Sequence, residues 1–142
     1  MKVIKLLRTI LVLLAAMFSL ASCDNDRKIG DWESMNWEAE VQVQEADGIY
    51  QVPTDGGTIV FACRNYSAPW IENAEYGGNY YSPPREEGIY NAITVDWFKA
   101  EIVGNKLSVT FDSNENSQAR PLKLTVTAGD IFYTFKFKQS AK

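Results

Sequence analysis

The chain has 142 residues, 14 basic against 18 acidic, a formal net charge of −4 and no histidine. An acidic balance weighs against nucleic acid and an anionic lipid surface as partners. The missing histidine removes the commonest general acid–base group, and no Ser or Cys lies beside a plausible base, so the expectation is a protein that is not an enzyme.

Lys2, Lys5 and Arg8 form a basic start, followed by an unbroken apolar run of nine residues from Ile10 to Phe18. That run falls far short of the ~20 residues a helix needs to cross a bilayer, and small residues follow it, as in a secretory leader. The segment closes on Leu20-Ala21-Ser22-Cys23, which resembles the lipobox of bacterial lipoproteins. The resemblance implies that residues 1–22 are a signal peptide, that cleavage precedes Cys23, and that the Cys23 thiol carries diacylglycerol. The chain is then exported and its membrane partner is reached through the lipid. Without the three cations of the leader, 11 basic groups face 18 acidic ones, a net charge of −7.

From Asp24 to Asp31 the chain is polar and aperiodic, so residues 23–31 read as a lipidated cysteine and its tether. Eight such residues extend to about 27 Å. Asp24-Asn25-Asp26 resembles an acidic signal that sends some lipoproteins to the outside of the outer membrane. In other Gram-negative bacteria an Asp beside the lipidated cysteine retains the protein at the inner membrane.

Residues 32–142 form the expected folded domain, and almost every apolar run in it has period two. Trp37, Ala39, Val41 and Val43 alternate with polar residues, which predicts one half-buried strand from 37 to 44. Tyr50 and Val52 belong to the next strand, ended by the turn cluster Pro53-Thr54-Asp55-Gly56-Gly57. Ile59, Phe61 and Cys63 share the inward face of a third, which makes Cys63 a buried, inert thiol. Ala68 to Ala74 is a short fourth holding Trp70. Gly104-Asn105 marks a tight hairpin. Beyond it Leu107, Val109 and Phe111, then Leu122, Leu124 and Val126, then Ile131, Tyr133, Phe135 and Phe137 face inward. No helical period appears after residue 31. Seven or eight short strands in this length predict an all-β, antiparallel, immunoglobulin-like β-sandwich without the usual disulfide.

Over about residues 47–139 the chain resembles a BACON-type domain, an immunoglobulin-like module of exported bacterial proteins named for proposed carbohydrate binding. The marks are Gly56-Gly57-Thr58 opening a strand, Asn65 leading to Trp70, Trp97, Asn114 followed by Arg120, and Phe137-Lys138-Gln139 at the close. The resemblance implies a carbohydrate ligand. The segment Glu75 to Asn91 departs from it by being longer and richer in tyrosine, and no catalytic domain of the kind such modules accompany follows.

That segment supplies the candidate ligand contacts: Tyr76, Tyr80 and Tyr81 lie between Gly77-Gly78 and Pro83-Pro84, with Tyr90 close behind. Tyrosine offers a flat apolar face and a hydroxyl at low entropic cost. Trp70 and Trp97 are expected in the core, and Trp32 and Trp37 are expected to dock the first strand. Lys123, Lys136 and Lys138 form a mildly basic strip on outward strand faces. Asp112-x-Asn114-x-Asn116 begins like a calcium loop but has Ser117 and Lys123 where that loop needs Gly and Glu, so neither a metal nor a cofactor is expected. Two functions fit: a non-catalytic lipoprotein presenting a carbohydrate-binding module, or a spacer or assembly subunit of a surface complex.

Overall fold

Alternation of apolar and polar residues gives most strands a wet face and a dry face, and of the eleven short strands among the described residues all but the fully exposed β2 bury side chains in one interior. The computed structural model describes residues 30–84 and 91–142. The chain divides into Met1–Asp31 and Trp32–Lys142. Cys23, the leader and nearly all of the tether therefore lie outside the described residues, as does Tyr90.

The first sheet has the order β1 (Trp37–Ala39), β4 (Gly57–Cys63), β9 (Lys106–Phe111), β8 (Phe98–Val103), β7 (Ala92–Val95). The second has the order β2 (Gln44–Ala46), β3 (Ile49–Val52), β11 (Phe132–Gln139), β10 (Arg120–Thr127), β5 (Trp70–Tyr76), β6 (Asn79–Tyr81). The sheets are not closed into a barrel, and together they make the β-sandwich that the patterning predicts. Asp47-Gly48 and Gly77-Gly78 turn two of the hairpins, all four residues at positive φ, as type I′ turns require.

Three expectations need correction. The count of seven or eight strands becomes eleven among the described residues, because β6 and β7 are added and the stretch from 37 to 44 is divided. Glu40 still donates to the Val60 carbonyl at 2.8 Å, then the chain leaves the first sheet and begins β2 at the edge of the second. The alternation in the sequence runs on across the switch without marking it, but Ala39 and Val41, expected on the buried face, are exposed. Second, the sandwich is not wholly antiparallel: β3 runs parallel to β11, with Tyr50 opposite Phe137. Third, Trp70 is half-buried and lies outside the core. The pairing of β5 with β10 shifts between Thr125 and Val126. This bulge adds a residue to β5, so the buried positions are Ile71 and Ala74, three apart, and Trp70 falls on the outward face opposite Thr127. Trp32 is also exposed.

Aromatic rings take the place of a disulfide in joining the sheets. Trp37 meets Phe135 at 5.2 Å, Phe135 meets Phe61 at 4.7 Å, and Phe137 meets Phe111 at 5.2 Å between centroids. Each fully buried large side chain contributes about 1.5–3 kcal/mol. Tyr50 stands in this layer, and burial, followed by its neighbours Tyr133 and Glu45, pushes its phenol up to about 12. Cys63 is buried, as its place on the strand predicts.

At one end a polar clasp closes the sandwich. The Gln139 side chain donates to the Asp112 carbonyl at 2.7 Å and to those of Pro53 and Thr54, while its oxygen accepts from Arg120 at 2.6 Å. Buried Asn114 donates to the carbonyls of Gln118 and Ser140. Gly56 sits so near this clasp that a Cβ there would stand 2.1 Å from the Phe111 carbonyl oxygen, which excludes any larger residue.

Candidate binding face on the six-stranded sheet

Local sequence turns the tyrosine segment into a hairpin rather than a loop. Gly77-Gly78 reverses the chain directly after Tyr76, and β5 then pairs with β6 as Tyr76 to Asn79, Glu75 to Tyr80 and Ala74 to Tyr81. Neighbours along a strand point to opposite faces, so the three described tyrosines do not converge. Tyr76 stands edge-on to Trp97 at 5.1 Å. Tyr81 lies opposite buried Ala74 and packs on the core. Tyr80 alone is free, 74% exposed, on the outward face.

Across that outward face the registers align three rows. Lys136, Lys123, Glu75 and Tyr80 follow one another from β11 to β6. Thr134, Thr125 and Asn73 form the next row, with the two threonine hydroxyls 3.0 Å apart. Phe132, Thr127 and Trp70 form the third. Phe132 is 56% exposed although Thr127 between the two aromatics is buried. Adjacent strands lie about 4.8 Å apart, so Phe132 and Trp70 are separated by about 10 Å, and the lysine row lies about 13 Å further along the strands.

The core does not use Phe132, Tyr80 or Trp70, and together they leave apolar surface on a flat, otherwise polar face. Phe132 went unnoticed in the sequence, although alternation with Tyr133 and Phe135 already places it outward beside Thr134. Trp70 is expected in the core and falls outward instead, because a bulge leaves no signature in composition.

Grooves among the described residues open at the sides of the sandwich, where the two sheets meet. A groove of about 450 Å3 opens where the chain switches sheets, lined by Val41 to Gln44 on one side and Gly56 to Ile59 on the other. A second runs past Tyr80 and Tyr81 to Ile93 and Val95. Among the described residues no group of three or more His, Cys, Asp or Glu could hold a metal.

No protein-family model matches the chain, and no curated protein matches it. A solved structure does: the NMR structure of a protein from Bacteroides thetaiotaomicron is similar, with a TM-score of 0.66 and 29% sequence identity over 78% of this chain and 90% of that one. The likeness therefore extends over most of both molecules.

Proposed function

We propose that this protein is a non-catalytic, exported lipoprotein that binds carbohydrate along the outward face of its six-stranded sheet. The observation that carries the reading is the set Phe132, Trp70 and Tyr80, three aromatic side chains on one flat face that the core leaves unused. A sugar ring has an apolar face that stacks on such rings and hydroxyls that suit the intervening Thr125, Thr134 and Asn73. Aromatics spread over about 10 Å and more suit a polymer laid across the face rather than a small sugar held in a pocket. Replacing Phe132 and Tyr80 together with alanine should weaken glycan binding by about 1–3 kcal/mol and leave the melting temperature nearly unchanged, since both are exposed. Affinity electrophoresis of the two forms in polysaccharide gels measures this; unaltered retardation of the variant defeats the assignment.

The lipobox resemblance at Leu20 to Cys23 supports a lipid anchor in the envelope, and Asp24-Asn25-Asp26 supports its facing outward from the outer membrane. Each buried methylene contributes about 0.8 kcal/mol, and two or more acyl chains hold a protein durably. Cys23→Ser is expected to move the protein from the membrane pellet to the soluble fraction. A variant that stays wholly in the pellet argues that something other than the thiol-linked lipid holds it.

One observation favours the second reading, an assembly or interaction subunit. β1 covers β4 only opposite Phe61 to Cys63, so the edge of β4 at Gly57 to Ile59 is open to the groove beside Val41 to Gln44. An open strand edge can accept an added strand from a partner.

A further inference from the structure

We infer that the glycan held by this face is acidic, and that Lys136 and Lys138 are the side chains that meet its carboxylates. The inference rests on the carbohydrate-binding reading above and names the class of sugar.

It starts from how the cations are used. Arg64 is paired with Glu38 at 2.7 Å, Lys99 with Glu101 at 3.2 Å, Lys106 with Glu40 at 2.8 Å and Lys123 with Glu75 at 3.1 Å. Lys142 is paired with Glu115. Arg120 lies 4.2 Å over the Trp97 ring and donates to Gln139. Arg120 thus has partners but no carboxylate, and among the described residues Lys136 and Lys138 are the cations with neither a carboxylate nor a hydrogen-bonded side-chain partner. They are exposed and two residues apart on β11, hence about 7 Å apart on the same face as Phe132.

Their placement has an electrostatic cost. Lys136 stands directly opposite Lys123, and like charges facing each other across a strand pair repel. Glu75, the one carboxylate among the paired residues of this face, is taken up by Lys123. Lys138 has uncharged neighbours, Pro121 on one side and Gln51 on the other. With Glu72, the extra residue of the β5 bulge, three lysines stand against two glutamates, which still leaves a local positive excess on a chain whose formal charge is −4. The repulsion of the chain as a whole is screened beyond about 8–10 Å at physiological salt, so at contact range the patch decides. A neutral glycan would use the aromatics and leave the lysine row without a partner. A polymer carrying carboxylates can lie over Phe132 and Trp70 and place its charges on Lys136 and Lys138.

The test uses the full chain in detergent and three carboxylated polymers, polygalacturonate, alginate and hyaluronate, with fully methyl-esterified polygalacturonate as the neutral counterpart. Binding to at least one acidic polymer is expected, weakened on esterification where the ligand is polygalacturonate, and weakened by raised salt. Lys136→Gln with Lys138→Gln should reduce it about tenfold or more without lowering the melting temperature. Equal binding of the esterified and free polymers, or full binding by the double variant, overturns acid recognition and leaves the carbohydrate reading standing. Binding to neutral glycans with none to the three acidic polymers does the same. Retention that depends on the lysines but ignores Phe132 and Tyr80 is mere polyanion attraction and overturns the inference. Failure to bind any glycan, acidic or neutral, removes the carbohydrate reading itself.

Discussion

Trp97→Ala is expected to lower the unfolding free energy by about 3–5 kcal/mol. The indole lies 4% exposed in the turn between β7 and β8. Around it stand Tyr76 at 5.1 Å, Phe98 at 5.4 Å and Phe111 at 6.0 Å between centroids, with the Arg120 guanidinium over its face. Alanine leaves a cavity that these neighbours cannot close, because each is held by its own strand, and it takes away the surface beneath a charged group. Trp97→Phe separates the causes. The indole N–H is buried without a hydrogen-bond partner among the described residues, so phenylalanine removes an unmet donor, and the expected cost is below about 1.5 kcal/mol. Trp70→Ala, on the outward face, should cost less than Trp97→Ala. Urea unfolding followed by circular dichroism measures all three; a Trp97→Ala loss smaller than that of Trp70→Ala would show that the ring does not anchor this end of the sandwich.

The second large effect is expected at Gln139, the last residue of β11 and fully buried. Leucine has similar volume, so Gln139→Leu would be nearly neutral if the residue served only to fill space. Its amide, however, donates to the carbonyls of Pro53, Thr54 and Asp112, and its oxygen accepts two bonds from Arg120. Removing it leaves buried acceptors without donors and a guanidinium without its acceptor. Each unmet buried group costs about 1–3 kcal/mol, so a loss of about 3 kcal/mol or more is expected from the shift of the urea midpoint. A loss under about 1 kcal/mol would mean that water replaces these bonds and that the clasp is not a stabilising device.

These two residues also explain what the family resemblance consists of. Gly56 makes a close backbone approach, Asn65 accepts from the Asn36 amide and donates to the Ser34 carbonyl, and Trp97, Asn114, Arg120 and Gln139 belong to the clasp or its packing. These marks are therefore largely structural, and they speak to the sandwich rather than to a ligand. Of the candidate face only Trp70 and Lys138 fall among them; Phe132, Tyr80 and Lys136 do not.

How legible that site was depended on the range of the interactions involved. The lysine strip follows from strand alternation, as does the outward position of Phe132. Tyr76 and Tyr81 were expected beside Tyr80 on a loop. The hairpin turns them to the other face, a result that the Gly-Gly pair after Tyr76 and the tyrosines at strand spacing already allowed.

In the strands that keep their register, which side chains face inward was determined by the sequence alone. Phe61, Leu107, Val109, Leu122, Leu124, Val126, Phe135 and Phe137 are all buried where period two places them, because the pleat is local and needs only a few residues to declare itself. The Gly104-Asn105 hairpin was local in the same way. Tertiary structure decided the rest. That the chain changes sheets after Glu40, that β3 runs parallel to β11, that a bulge turns Trp70 outward and that Lys136 stands opposite Lys123 all depend on which strand meets which and in what register. Those choices are made by contacts between residues far apart in the chain, and period two is satisfied equally well by pairings that do not occur.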